Sequence, residues 1–551
     1  MSVTKKLGEI LRMREKREVG KIFALMGSML ILGAAVLAYE NMDADAYRSS
    51  GTAVYENGRG ERYLFLPSWA DAAREEARLR EEEGGEAVEI LQSQNLASVE
   101  IRTASGSMDA VREEKGHGEA GRIRITGADG GLLYEGGLDE IRGRGHSTWS
   151  LDKKPYQIRL SEKADLFGMG EARTWILLAN GFDETCIRNS VALWLADRAG
   201  LAFTPEQEPV DLYCNGEYQG SYLFCEKVQA RENRVEIGDG FLIERELQDR
   251  WELAVYTEGE SGFVTDRGDY YLIDFPKDPG AERIEEIRSL VQAAEDAAFS
   301  EGGVHPETGK SWDEYVDAKS FARKYLLEEI TKNYDGGVTS AFYYVPEGKA
   351  KLYAGPAWDY DLIFGNAALD EMNSDPKGIT ELSDHLYGPD LYGALMDLEP
   401  FRETVFDCFE TVYLPLLEEL TESGIDEMAA WTEASVKMDH LRWEEMENRY
   451  QYYGSYEDNL RYLKFFVRER TEFLKEVWVG GEVYRTVTME VEGIPWRKFY
   501  VKDGGLLGDL PVPFLNDSLF MGWYRQDGKK YDPYRPVYED MTLEAAWQKV
   551  G

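Results

Sequence analysis

Gly355-Pro356-Ala357-Trp358-Asp359-Tyr360-Asp361, taken with Lys332-Asn333-Tyr334-Asp335 upstream, is the stretch on which the reading of this chain turns. Between the two lies an expected hairpin: SAFYYV over 340–345, a turn at PEGK over 346–349, and AKLYA over 350–354. A turn centred near Glu347 and Gly348 sets Asp335 opposite Tyr360, and hence beside Asp359 and Asp361. Residues two apart on a strand share a face, so Asp359 and Asp361 address one target. Three carboxylates and the Asn333 amide converging on one spot repel each other unless a cation joins them. That is the chemistry of a Mg²⁺–phosphate site, where hard oxygen ligands hold the metal and one further Asp handles a hydroxyl proton. Gly336-Gly337 and Pro356 are the points at which this pairing can break.

Outward from this stretch, 320–334 reads as a helix with Ala322, Leu326 and Ile330 on one face, delivering Asn333 and Asp335 at its end. Before it the pattern is β: SVEIRT (98–103), RIRIT (122–126) and YQIRL (156–160) alternate apolar with polar residues, and TWILLAN (174–180) reads as a buried strand. A helix is expected from about Cys186. A hairpin turning at Asn215-Gly216 and a strand at FLIE (241–244) follow. After about residue 280 helices dominate, the clearest over 401–420 and 456–477. The expectation is an α+β chain with a β-rich N-lobe (96–280), a helical C-lobe (281–480) and a nucleotide cleft at their junction. Residues 483–551 read as a small β module, and 40–95 as a stalk carrying a polar helix near 70–83.

Residues 22–39 form an uncharged run (IFALMGSMLILGAAVLAY) behind the basic segment 1–21. At helical rise the run covers about 27 Å, enough for a transmembrane anchor with the basic flank cytoplasmic and the bulk of the chain outside. Cleavage near Ala44-Asp45-Ala46 is the competing reading and would release a secreted protein. The net charge of −41 argues against nucleic acid as a partner and suits cations or basic proteins, with solubility alone as the competing reason for the acidity. The 33 Tyr and 13 Trp argue for packed structure despite 30% charged residues. Four cysteines without a CxxC pair, five histidines and no HExxH offer no zinc site.

The strings Arg142-Gly-Arg-Gly-His-Ser-Thr-Trp149, Lys153-Lys-Pro-Tyr156, Asp165-Leu-Phe-Gly-Met169, Trp175–Asn180, Arg188-Asn189, Tyr213–Tyr218, Glu226-Lys-Val228, Asn333-Tyr-Asp335 and Trp358–Asp361 together resemble the spore-coat CotH kinase family. Residues 520–547 likewise resemble a Listeria–Bacteroides repeat, a β-grasp-like surface module. The first resemblance implies an atypical, two-lobed protein kinase fold that uses ATP with Mg²⁺ or Mn²⁺ to phosphorylate serine or threonine in secreted proteins. It implies that Arg142, Gly143, Arg144, Gly145, His146 and Ser147 lie over the phosphates, with His146 where the family usually has Asn. Lys154, or Arg159 in reserve, touches the α- and β-phosphates, and Glu226 is an ion-pair or nucleotide-facing acid. Arg188 and Asn189 open a helix near the cleft, where capping competes as the role of Asn189. Asp335 is the base, Asp359 the metal ligand, and Asp361 and Asn333 its helpers; spacing leaves the Asp335 and Asp359 roles partly exchangeable.

The leading expectation is a membrane-anchored extracytoplasmic protein kinase acting on a basic, Ser/Thr-rich protein. A non-catalytic surface-binding protein and an ATP-using transferase of another reaction, such as nucleotidyl transfer, are the alternatives. The three retained aspartates argue against a dead enzyme.

Overall fold

The alternating strands near residue 100 close on themselves. In the computed structural model, which describes residues 53–82, 87–333, 335–366, 375–379, 390–444 and 454–549, seven strands form a closed barrel. Around the barrel the order is Glu217–Glu226, Glu171–Leu178, Tyr156–Asp165, Leu132–Gly143, Gly118–Thr126, Ala97–Thr103 and Gln207–Cys214. Val99 pairs with Ile125 and Ile101 with Ile123, so the apolar members of each alternation share one face. That face packs with Ile158, Trp175, Leu212 and Phe224 into one core. Asn215 and Gly216 both take positive φ, as a two-residue hairpin turn requires, and join the two barrel strands that come last in the chain.

The chain divides into two units. The first holds the described residues within Met1–Ala179, Glu208–Phe224 and Ala434–Glu445, and contains the barrel. It also contains the described part of the expected stalk. Tyr55–Glu56, Arg62–Leu66 and Glu89–Gln92 form a three-stranded sheet, with the helix Ala72–Glu82 after its second strand. Leu64, Phe65 and Leu66 are buried there, because YLFL, after Arg62, is a continuous apolar run of the kind that seeks a core.

Asp211 sits in the barrel unit with 1% of its surface exposed. Its Oδ1 accepts from Tyr218 Oη at 3.0 Å and Ser435 Oγ at 2.7 Å. Burial pushes its carboxyl up to about 6 from 3.8. The folded state therefore holds this proton more tightly than the unfolded chain. The stabilisation is complete below the unfolded value and is lost as pH rises through about 6. Asp211→Asn, neutral throughout, is expected to gain about 3 kcal/mol relative to wild type between about pH 3.5 and about pH 7.5. Urea unfolding across that range checks it, and a pH-independent difference would refute it.

The second unit holds the described residues within Asn180–Gln207, Cys225–Glu433 and Met446–Gly551. An antiparallel five-stranded sheet runs Gly262–Val264, Tyr270–Phe275, Phe241–Glu246, Ala341–Val345, Tyr353–Ala354. The helices Arg188–Arg198, Ala281–Ala298, Ala318–Thr331, Glu399–Cys408 and Tyr456–Leu474 share its core through Val191, Val291, Leu326, Phe401 and Phe466. Ser455 and Asp458 form a reciprocal capping box at the start of the last of these. The C-terminal residues form a four-stranded sheet, Ile494–Lys502, Tyr484–Val491, Met541–Lys549, Ser518–Arg525, whose two central strands are parallel.

The expected two-lobed kinase-like architecture is thus corrected. Its β-rich half is a closed barrel rather than the sheet of an N-lobe, and strands 241–246 and 270–275 belong with the helices rather than with the barrel. Local alternation predicts strands but not which strands close a sheet, since closure rests on the non-local pairing of Ala97–Thr103 with Gln207–Cys214. The transmembrane helix expected over 22–39 lies outside the described residues. Among the described residues no helix is long and apolar enough to cross a membrane.

Candidate functional site

The helix Ala318–Thr331 begins at Asp317, whose side chain accepts from Ser320 N at 2.8 Å, and ends where Lys332 turns left-handed at φ 48°. The Lys332 ammonium is spent on the carbonyls of Asp375 and Lys377, at 2.8 and 2.9 Å. Asn333 follows, its Oδ1 accepting from Asp335 N at 3.2 Å and its Nδ2 donating to Glu328 Oε2 at 2.7 Å.

The intervening hairpin forms, but two residues out of the expected register. Tyr343 faces Ala354 and Tyr344 faces Tyr353, and the second strand ends at Ala354. Asp335 and Asp359 are therefore not ladder partners. Gly337, at φ 76°, turns the chain before the first strand, and Pro356, which has no N–H to give, follows the second. The acids meet instead from two loops. Asp359 holds a left-handed φ of 70°, a conformation Asp tolerates better than most residues, and its Oδ2 accepts from Ser340 Oγ at 3.2 Å. Tyr360 N donates to Asn189 Oδ1 at 2.9 Å, and Asn366 Nδ2 donates to the carbonyls of Asp361 and Phe182 at 2.7 and 2.9 Å.

Asp335, Asp359 and Asp361 are half-buried and close enough to repel one another. Burial, then Asp359, pushes the Asp335 carboxyl up to about 7, against the pull of Arg250. Burial, then Asp359 and Asp335, pushes Asp361 well above the ordinary carboxylate range. Glu244 and Glu246, two apart on one strand, add to the same negative field and are themselves raised, chiefly by burial. Glu246 is held by Thr339 Oγ1 at 2.5 Å and lies 3.5 Å from Arg250. Among the described residues no three Asp, Glu, His or Cys side chains are grouped as a ready-made metal cage.

Of the other expected residues, Arg188 is buried, paired with Asp183, and donates from Nε to Ile363 O at 3.1 Å. Asn189 is not a helix cap: Ile187 holds that position, and the Asn189 side chain bridges Tyr360 N and Asn180 Oδ1. Glu226, expected as an ion-pair or nucleotide-facing acid, is buried against Arg234, accepts from Glu206 N at 3.0 Å, and is pushed up to about 7 by burial.

Arg142, Gly143, Arg144, Gly145, His146 and Ser147 occupy the end of the strand Leu132–Gly143 and the turn after it in the barrel unit. A Cβ on Gly143 would stand 2.2 Å from the Trp149 ring, and Gly145 takes φ 84°, so both positions need glycine. Arg142 lies 3.6 Å from Glu140, and Arg159 lies 3.9 Å from Asp139. Lys154 donates to Trp149 O at 2.7 Å, sits 4.9 Å over that ring, and is pushed down by burial. The buried lysine of the pair is Lys153, 1% exposed, 2.5 Å from Asp439 Oδ1 and donating to Ser221 O at 2.7 Å. A Cβ at Gly220 would strike both partners, which explains the glycine there.

Glu244, Glu246, Arg250 and Glu328 were not legible as site neighbours from spacing around the aspartates. The available signals were local: two glutamates alternating within FLIERE, and Glu328 four residues after Lys324 on one helix face. A comparison with curated proteins finds no match. The CotH kinase protein family profile matches residues 141–474, which span the barrel strands from 141 onward, the aspartates and the helices behind them. That match covers more than half of the chain, and the protein belongs to the CotH kinase protein family.

Proposed function

We propose that this protein transfers the γ-phosphoryl group of ATP to a serine or threonine hydroxyl of a protein substrate. A kinase-related activity using ATP and a divalent metal follows from the family in general. The observation that carries the finer reading is a half-buried Asp335, raised to about 7, beside Asp359 and Asp361. A carboxyl with that affinity is in its base form in about half of the molecules at pH 7, and it is a stronger base than an ordinary carboxylate.

Asp335 accepts the proton as the acceptor oxygen bonds to the γ-phosphorus. The bond from that phosphorus to the β–γ bridging oxygen breaks, and ADP leaves. Asp359 and Asp361, with the free lone pair of Asn333 Oδ1, are the proposed ligands of Mg²⁺ or Mn²⁺. Their chemistry fits: hard oxygens whose mutual repulsion a cation relieves, and two carboxylates suffice when waters and phosphates complete the shell. When bound, the metal neutralises phosphate charge. Arg142, Gly143, Arg144, Gly145, His146, Ser147, Lys154, Arg159 and Glu226 are proposed nucleotide contacts on the family resemblance. The charge of −41 favours a basic acceptor protein.

The test is transfer from γ-labelled ATP to a Ser-rich basic protein, with Mg²⁺ or Mn²⁺ and then with excess chelator. Label on serine or threonine that the chelator removes is expected. Transfer only from α-labelled ATP would replace this reading with nucleotidyl transfer, and no transfer from either would overturn it.

A further inference from the structure

One buried carboxylate ties together both segments that carry the aspartates. Glu328, 1% exposed on the helix Ala318–Thr331, accepts from Tyr360 Oη at 2.8 Å through Oε1 and from Asn333 Nδ2 at 2.7 Å through Oε2. Lys324, one turn earlier and 3% exposed, pairs with the same Oε1 and donates to Tyr360 Oη at 2.7 Å. The directions of these bonds are forced. An ammonium only donates and a carboxylate only accepts, so the single Tyr360 proton goes to Glu328 and its oxygen receives Lys324.

The consequences reach the site through covalent neighbours. Tyr360, fully buried, stands between Asp359 and Asp361. With Asn333 Nδ2 committed to Glu328, its Oδ1 must face the other way, where it holds Asp335 N. Glu328 thus anchors one loop through a phenol and the other through an amide. Both anchors sit on a single turn of helix whose buried charge Lys324 balances.

We propose that Glu328 is a positioning residue for phosphoryl transfer, setting the Asp335 loop against the Asp359–Asp361 loop through Asn333 and Tyr360. This rests on the kinase reading, with Asp335 as base and Asp359 and Asp361 as metal ligands. It does not make Glu328 catalytic, since the side chain reaches the reacting groups only through others. A positioning carboxylate behind a metal or a base is expected to matter at the level of 10- to 100-fold. A structural ion pair would alter stability alone.

Tyr360→Phe keeps the ring and the fold while cutting one anchor. Glu328→Gln keeps the shape but turns an N–H donor towards the donors on one side, either Asn333 Nδ2 or the pair Tyr360 Oη and Lys324 Nζ. In the full chain, kcat per folded molecule is expected to fall about 10- to 100-fold in each, with KM for ATP within about twofold. The double variant is expected to be little worse than the poorer single, because both cut one connection. Mn²⁺ affinity without nucleotide, read by electron paramagnetic resonance, is expected to weaken about tenfold in Tyr360→Phe. An active wild type with unchanged kcat in a well-folded Tyr360→Phe overturns the positioning role and leaves the kinase reading standing. An inactive wild type removes the kinase reading. The Mn²⁺ titration then decides the positioning role, and an unchanged affinity or no binding by the wild type overturns it.

Discussion

Asp335→Asn is expected to reduce phosphoryl transfer by about 10²- to 10⁴-fold at saturating ATP, the span usually lost with a general base. The protein should not unfold. Asp335 is half-buried, and its main neighbours in charge are Asp359, Glu246 and Glu328, opposed by Arg250. An amide removes a charge that burial, and then repulsion from Asp359, already disfavour enough to drive the carboxyl up to about 7, so thermal stability should hold or rise while activity falls. That combination separates a lost base from a damaged fold. Asp359→Asn is expected to show a similar loss with a shifted Mg²⁺ dependence, because it removes a proposed metal oxygen rather than the proton acceptor. Initial rates against metal concentration, beside thermal melts, make the comparison. Near-wild-type transfer by Asp335→Asn would exclude it as the base, and an altered metal dependence there instead of in Asp359→Asn would exchange the two roles.

The largest stability effect is expected behind the site. Arg470, on the helix Tyr456–Leu474, is 1% exposed and donates to Glu329 Oε1 at 2.5 Å, Glu329 O at 2.7 Å, Pro376 O at 3.0 Å and Gly378 O at 2.5 Å. Glu329 is fully buried. Burial lowers the guanidinium's affinity for its proton, and Glu329 is the first of the groups restoring it. Glu329→Ala leaves that cation facing carbonyls alone, at a cost of about 3–5 kcal/mol. Glu329→Leu combined with Arg470→Met should lose less than the sum of the two single changes, since no lone charge remains. The urea midpoint of the second unit reads both, and a Glu329→Ala midpoint equal to wild type would discard the argument.

Much of this protein could be read locally. Strict alternation announces a strand because period two puts every apolar side chain on one face, and the strands Ala97–Thr103, Gly118–Thr126 and Tyr156–Asp165 contain the predicted runs. Asn215-Gly216 announces its turn through the positive φ that both residues accept. The string Asn333-Tyr-Asp335 and the WDYD motif are among the ordered strings from 142 to 361 that carry the family resemblance. Register did not follow, because a hairpin's pairing depends on where Gly337 and Pro356 break it, and two residues suffice to move an aspartate out of the ladder.

Adjacent lysines make the same point at the smallest scale. Lys153 and Lys154 are chemically alike, yet opposite sides of the chain send one to Asp439 in the interior and the other to the Trp149 carbonyl. The order of amino acids alone determined the strands, the turns, the family and the presence of paired aspartates, all properties of short-range geometry and composition. Tertiary structure decided the closed barrel, the membership of the acid-bearing sheet and the network of Glu328, Tyr360 and Asn333. Each of these depends on groups brought together across the fold, where burial rather than sequence spacing sets the strength of a charge.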